Sequence, residues 1–552
     1  VFFALESEGI NFLMEDTMKK TKRIMCLLVL VAAVFCLAVE PVFACTILAI
    51  GKDATADGST IVTHNDDSSG ADFRLWIIPG GDWPEGATRD LVIDSHNYGD
   101  FGNYPAVKDY GNGYPILEIP EASETYSYFH SRYSFINEKG VAMGEATMNF
   151  DRSTDLRKKT YELIYGNNNG LIDCWNAQDI ALERASTARE AVRVMGDLVE
   201  AYGWKDAGET INICDGTEVW VAEFYGQDLW AAVRIPDNGF FVASNRARID
   251  HIDFNDSENY MYSPNIRSFA VENGLWSEAS GEPFSPADIY APYYGAYSTR
   301  REWRAFDLVA PSLRLDPNAK RYPLWVIPER KLSVQDVYEI KGDYYQGTEY
   351  DLSKQPVAGP YGDPLVPQHG ERSINLFRTC YLMIANVKEW LPDEAKCLVW
   401  YGYGAPDSSY LTPLWPTMKE LPGFYRTGNR YEEFRRDSGW WISSYVQQIA
   451  RINYRSAIQD IHDFRNPRMA DIYAQTEEIQ TVAARLIRQG KTDTAINLLS
   501  SFAYNTAVEW KDQWLALGDQ LLGTYMWGNK KMKTQGYSDW WKGIMKNAPA
   551  SL

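Results

Sequence analysis

Residues 45–68 run Cys45-Thr-Ile-Leu-Ala-Ile-Gly51, Lys52, Asp53-Ala-Thr-Ala-Asp-Gly58-Ser59, Thr60-Ile-Val-Thr63 and His64-Asn-Asp-Asp-Ser68. The first segment is apolar and rich in β-branched residues, so it reads as a strand. The second is turn chemistry, with Asp and Gly where the chain must reverse. Thr60 to Thr63 is a second strand. Together they predict a hairpin that starts at a cysteine and ends in a polar run, His64 to Ser68.

What precedes the hairpin gives that cysteine its interest. Met18 is followed by Lys19, Lys20, Lys22 and Arg23, then by an unbroken apolar stretch from Ile24 to Val39. That stretch is short of the roughly 20 residues a spanning helix needs, and it suits the core of an export signal. Glu40 and Pro41 break it, and Val42-Phe43-Ala44 has small residues where a cleavage site needs them. The expectation is a signal peptide over 18–44 cut after Ala44, with 1–17 an upstream extension. The product is then exported, periplasmic or extracellular, with no stable membrane insertion after processing.

Cutting after Ala44 makes Cys45 the first residue. One reading is an acylated lipoprotein, but Phe43 fits poorly where such proteins carry small residues. The other is an N-terminal nucleophile, whose thiol reacts and whose freed α-amine is the base. An ordinary thiol titrates near 8.5 and an α-amine near about 7.7–8.0, so proton exchange between them is nearly balanced. Before cleavage that nitrogen is an amide and cannot act as a base.

Composition narrows the alternatives. Of 552 residues 45% are hydrophobic and 23% charged, which is globular, and 74 acidic against 54 basic residues give a net charge of -20. So acidic a chain is a poor partner for phosphate backbones or anionic membranes, which are held by basic contacts. Gly-x-Ser-x-Gly, phosphate-loop, Cys-x-x-Cys and His-Glu-x-x-His patterns are absent, and six scattered histidines give no zinc spacing. Asp53 and Asp57 beside Gly58 read as a turn rather than a calcium loop. Of the seven cysteines, Cys26 and Cys36 fall in the leader. Cys45, Cys174, Cys214, Cys380 and Cys397 remain, an odd number. The last four allow two bridges or four buried thiols.

The run from Cys45 to Ser68 closely resembles the cysteine dipeptidase family (dipeptidase A-like) of N-terminal-nucleophile hydrolases. That family opens on Cys-Thr, turns on Asp-Gly-Ser and reaches Arg-Asn-Glu-Asp about twenty residues on. Four later segments resemble family elements in the same order. They are Asn137-Glu-Lys-Gly140-Val-Ala-Met-Gly144-Glu145, Ser244-Asn245-Arg246-Ala247-Arg248-Ile249, Arg300-Arg301-Glu302-Trp303-Arg304 and Gly404-Ala-Pro-Asp407-Ser408-Ser409. Penicillin V acylases and bile salt hydrolases are more distant relatives. The sequence departs at His64, where the family has Arg, and at Asp66, where it has Glu. An Arg beside the nucleophile favours the thiolate, which a neutral His does less well.

The resemblance implies an exported cysteine dipeptidase. Cys45 attacks, its α-amine takes the proton, Asp67 orients that amine, Asn245 donates to the oxyanion and Arg301 adds positive charge. His64 is expected to bind substrate. No metal or organic cofactor is implied, and the partners are short peptide substrates, with homo-oligomerisation left open. An acylase-type amidase is the alternative enzyme, and a peptide-binding lipoprotein the alternative of another class.

Periodicity alone gives α+β, since hairpins and helices interleave without a regular strand-helix alternation. The resemblance implies a four-layer αββα sandwich over 45–445, with a C-terminal helical region over 446–552 packed on it. Helical patterning is expected over 176–204, with a capping box at Thr187-Ala-Arg-Glu190, and from about 445 onward, with Gly490 between two long helices. Residues 250–300 and 341–370 are expected as ordered loops.

Overall fold

The structure is a computed structural model. It describes residues 45–547 apart from 69, 94–98, 100–107, 112, 167–168 and 368–370. The expected extension 1–17 and leader 18–44 lie outside the described residues, as does the end of the C-terminal region.

The opening hairpin forms as the sequence predicts. Ile47–Ile50 pairs antiparallel with Thr60–Asp66, with Ala49 opposite Val62. The reversal is held by Asp57, whose Oδ1 accepts from the Ser59 amide (3.1 Å) and hydroxyl (2.5 Å). Gly58 supplies the left-handed backbone (φ +83°) that a Cβ would strain.

This hairpin sits inside a seven-stranded sheet. Phe240–Ala243 flanks its first strand, and Tyr381–Val387 flanks its second. Antiparallel register then decides which residues meet. Ile47 faces Ala243, so the chain before Ile47 meets the chain after Ala243, bringing Cys45 beside Asn245. Thr46 bridges Asn65, so Cys45 also lies at the end of the strand that closes on Asp66. Tyr381 faces Asp66, and the Cys380 amide donates to the Asp66 carbonyl at 2.6 Å. Three strand ends therefore converge where Cys45 begins.

A second, eight-stranded sheet packs on the first. Its strand Val219–Gly226 alternates: Val219, Val221 and Tyr225 join the core shared with the first sheet, while Trp220, Ala222 and Phe224 join a separate apolar cluster. That cluster is closed by helices Cys174–Arg184 and Ala188–Tyr202. The two sheets are pinned by Asn212, whose Nδ2 donates to the carbonyls of Leu48 (2.7 Å) and Thr63 (3.1 Å), while its Oδ1 accepts from the Gly144 amide (2.7 Å). A Cβ at Gly144 would stand 2.7 Å from the His64 Cβ. Only glycine allows the approach that brings its neighbour Glu145 against the first sheet.

Helices Ala296–Val309, Val334–Lys341 and Gly439–Ala450 contact the first sheet. Helices Tyr454–Arg488 and Thr492–Tyr525 pack on each other, separated at Gly490 (φ +74°). The second of them reaches the sheet edge through Trp510, which stacks on Tyr410 at 4.9 Å. The described chain is thus α+β, with antiparallel sheets and a C-terminal helical region. The first of those helices starts at Gly439, ahead of the expected boundary.

Two local expectations are corrected. Residues 250–300 are not all loop: helices form at Ser268–Glu272 and Pro286–Tyr290, and a third starts at Ala296. Pro286 stands in the first turn behind a Ser285 cap, which nucleates a helix in a stretch whose Gly, Pro and Tyr content masks it. At Thr187 the side chain caps the Glu190 amide, but the short return bond of the Glu190 carboxylate is to the Ser186 amide (2.8 Å), with the Thr187 amide a weaker partner. The five cysteines of the described chain are free and buried, so the bridged alternative is not adopted.

Candidate active site

Arg301 organises the point where the strands end. Helix Ala296–Val309 carries it inward, and it is fully buried. Each of its five N–H donors finds an acceptor. Nη1 donates to the Cys45 carbonyl and the Thr46 hydroxyl, both at 2.8 Å. Nη2 donates to the Ser244 carbonyl (3.1 Å) and Asn245 Oδ1 (2.9 Å), and Nε to the Tyr297 carbonyl (2.9 Å). Burial pushes the guanidinium down to about 10, helped by the like charge of Arg372, so it stays charged at neutral pH.

Asn245 is held as firmly. Its backbone is left-handed (φ +61°), a conformation that asparagine tolerates better than most residues. Its carbonyl accepts from the Asn149 amide (3.0 Å), Asn149 Nδ2 (3.1 Å) and Ser298 Oγ (3.3 Å). Its Nδ2 donates to the Thr147 carbonyl (2.9 Å). Three donors thus fix an uncommon backbone beside the cysteine.

The Cys45 thiol points across to the second sheet. It donates to Glu145 Oε1 at 3.0 Å. The same oxygen lies 3.1 Å from His64 Nε2, and His64 Nδ1 lies 3.1 Å from the Tyr381 hydroxyl. Burial pushes the thiol well above its ordinary value, and the charges of Glu145, Asp66 and Asp67 push it further. Burial alone would raise Glu145, but the hydrogen bond and charge of His64 outweigh it and hold that carboxyl below its usual range. Glu209 goes the other way: burial, then the Glu145 charge, raises it well above the carboxylate range. The resting state is therefore a neutral thiol hydrogen-bonded to an ionised Glu145. Cys45 Sγ, a His64 ring nitrogen and a Glu145 oxygen lie within 4.8 Å of one another, a set of donors able to hold a metal ion.

Asp67 and Asp66 are sequence neighbours in different settings. Asp67 pairs with Arg372 and accepts from Thr379 Oγ1 at 2.6 Å. Lys341, buried at the end of helix Val334–Lys341, donates to the Thr46 carbonyl at 2.6 Å, and burial pushes its ammonium well below the usual lysine value. Asp66 has only the Ser68 amide on Oδ1 (2.9 Å), and its Oδ2 is buried with no partner among the described residues. Burial raises it to about 6, against the opposing charge of His64. In the unfolded chain an aspartate titrates near about 3.9. From about pH 4 to 6 the native state keeps a proton that the unfolded chain has lost, so this group's contribution to stability falls as pH rises through that window. Asp66→Asn cannot titrate. Its stability relative to the parent should rise between pH 5 and pH 7, read from urea midpoints, and a constant difference would show that Asp66 does not titrate there.

The structure thus brings Cys45, Asn245 and Arg301 into one hydrogen-bonded cluster, with Asp67 close enough for its charge to act on the thiol. His64 is in the same place, on Glu145. Sequence reading missed Glu145, Arg372, Thr379, Tyr381 and Lys341. For Glu145 a signal existed: a lone carboxylate in the strand Ala142–Thr147, otherwise made of small or uncharged residues. The others reach the site from up to 336 residues away across paired strands and helices, and no local pattern marks them.

The chain is similar to curated peptidases along most of its length. It is 28% identical over 442 residues to a probable dipeptidase of Latilactobacillus sakei, covering 76% of this chain and 84% of that one. It is 25% identical over 485 residues to a probable dipeptidase A of Streptococcus pyogenes serotype M1, covering 84% and 96%. Against dipeptidase A of Lactobacillus helveticus the identity is 24% over 495 residues, covering 87% and 97%. Residues 44–466, which hold every side chain of the cluster around Cys45, match peptidase family C69, and the chain belongs to that dipeptidase A-like family of cysteine peptidases.

Proposed function

We propose that the protein is an exported cysteine dipeptidase with the αββα architecture of N-terminal-nucleophile hydrolases, whose nucleophile is Cys45 once residues 1–44 are removed. The observation that carries this reading is the Arg301 fork, which ties the carbonyl of Cys45 to the side chain of Asn245. The names of the relatives, dipeptidases throughout those compared above, support the substrate class. Among the described residues no helix is long and apolar enough to cross a membrane.

In this mechanism the α-amine of Cys45 takes the thiol proton as sulfur attacks the scissile carbonyl. Because burial and neighbouring carboxylates keep the thiol neutral at rest, deprotonation accompanies the attack. The tetrahedral oxyanion forms beside Asn245 and the positive charge of Arg301. The amine then passes the proton to the leaving amino group, and a thioester remains. Water attacks it, with the amine again as base, and releases the acid. Asp67, braced by Arg372 and Thr379, orients the amine.

The test is to compare the processed protein with a form that keeps one extra residue before Cys45. The processed form should have a mass starting at Cys45 with a bare amine and should turn over dipeptides. The extended form should fold with an equal melting temperature and lose nearly all turnover. Equal turnover by both would overturn the N-terminal base. Turnover of acyl amides but not dipeptides would move the protein to the acylase class.

A further inference from the structure

Cys45, His64 and Glu145 offer a sulfur, an imidazole nitrogen and a carboxylate oxygen to a common point. We propose that these three side chains form a binding site for a thiophilic divalent cation of the zinc class, and that its occupation reversibly blocks Cys45. The binding claim stands on the three donors alone, while the blocking claim rests on Cys45 being the nucleophile.

Geometry comes first. The donor atoms lie within 4.8 Å of one another, with Sγ to Oε1 at 3.0 Å and Nε2 to Oε1 at 3.1 Å. Zinc bonds of about 2.0–2.3 Å at tetrahedral angles set ligand atoms roughly 3.3–3.6 Å apart. Binding therefore opens the two short distances by a few tenths of an ångström and sets the Sγ-to-Nε2 separation, now at most 4.8 Å, at about 3.5 Å. That opening follows from the chemistry, because the ion takes the place of the protons that now bridge these atoms. The thiol gives up its S–H proton to solvent, an imidazolium gives up its Nε2 proton, and three coordinate bonds form.

The surroundings already keep a proton on His64 Nδ1, as a ligating imidazole needs. Its Nδ1 lies 3.1 Å from the Tyr381 hydroxyl, and that hydroxyl donates to the Tyr133 carbonyl at 3.0 Å. With the hydroxyl proton committed to the carbonyl, the hydroxyl oxygen accepts from Nδ1–H. In the neutral ring the Nε2 lone pair then faces Cys45 and Glu145. A hydrogen-bonded second nitrogen of this kind is what orients ligating histidines. Tyr133 and Tyr381 also meet the ring edge-on, at centroid distances of 5.4 Å each, which fixes its plane. The Glu145 carboxylate accepts further from Thr147 Oγ1 at 3.4 Å.

Charge and donor softness select the ion. A thiolate and a carboxylate neutralise a dication, which matters because all three side chains are buried and an uncompensated charge there is costly. Sulfur and imidazole favour zinc-class ions over magnesium and calcium, which want six or more oxygens. Three protein ligands leave the fourth position open to water.

The experiment titrates cobalt(II), a spectroscopic stand-in for zinc, into the reduced, chelator-stripped processed protein. The expected result is one equivalent bound, with a thiolate-to-cobalt charge-transfer band and displacement by zinc. Cys45→Ala should remove the band. His64→Gln and Glu145→Gln should weaken binding at least tenfold. Tyr381→Phe, which keeps the ring and deletes only the hydroxyl, should weaken it about 10–100-fold. This last variant decides the matter if the buried polar substitutions unfold. A band that persists in Cys45→Ala, or an affinity unchanged in a folded His64 or Tyr381 variant, overturns the site. One equivalent of zinc should suppress dipeptide turnover and a chelator should restore it. Cobalt bound with the band while zinc leaves turnover unchanged would keep the site and overturn Cys45 as nucleophile.

Discussion

Cys45→Ala should abolish peptidase activity, by roughly 10⁶-fold or to below detection, in a chain that still folds. The side chain is 2% exposed and starts a strand, so the backbone pairing of Ile47 onward does not depend on it. The variant loses one sulfur and one hydrogen bond to Glu145, for a stability change of about 1 kcal/mol. His64 still faces the Glu145 oxygen, so the carboxylate is not left alone. Cys45→Ser separates nucleophile from packing. It keeps a donor to Glu145, but a hydroxyl is far harder to deprotonate than a thiol, and a base as weak as an α-amine activates it poorly. Serine should retain a trace of activity and no more. The other thiols, Cys174, Cys214, Cys380 and Cys397, are buried, and burial raises each, Cys214 to about 12. Cys45 is itself buried and raised, so what sets it apart is the freed α-amine of the processed protein, and partial alkylation with peptide mapping should tie inactivation to Cys45. Inactivation that followed any other cysteine would sink the assignment.

The hairpin from Cys45 to Asp66 was readable because each of its parts is local. β-branched runs, an Asp-Gly turn and a polar end all sit within one short window. Once that hairpin and the strand ending at Ala243 are accepted, antiparallel register alone puts Asn245 beside Cys45. Gly490 as a helix stop was readable for the same reason, since one residue must be left-handed there. The site's electrostatics were not local. Arg372 reaches Asp67 from 305 residues further along the chain, and Lys341 is the last residue of a helix that ends where the expected loop over 341–370 begins. Glu145 depends on how closely two sheets approach, which Gly144 and Asn212 decide together. The replacement of the family's Arg by His64 was visible, but its meaning was not. In the structure His64 faces a carboxylate on the other sheet, so the family's Arg has become a His–Glu pair that also holds the thiol.

Arg301→Lys should lower kcat for dipeptides by roughly 10²–10³-fold while the chain stays folded, and Arg301→Met should do worse on both counts. The reasoning rests on the five donors. A guanidinium is a rigid planar fork, and here each prong is spent: two on Cys45 and Thr46, two on Ser244 and Asn245, one on Tyr297. Lysine restores the charge but offers three donors from one point, so it cannot span the carbonyl of Cys45 and the amide of Asn245 together. The proposed nucleophile and the proposed oxyanion donor then lose their common brace, and the loss should fall on kcat more than on KM. Methionine removes the charge as well. It leaves the buried carbonyls of Cys45 and Ser244 without this donor, each at about 1–3 kcal/mol. Melting temperature measured beside kcat/KM separates the two effects. If a folded Arg301→Met kept more than about a tenth of the parent kcat/KM, a loss of less than about 1.4 kcal/mol in transition-state stabilisation, the fork would be packing and not part of the reaction. If lysine and methionine were equally impaired, geometry and not charge would be what Arg301 supplies.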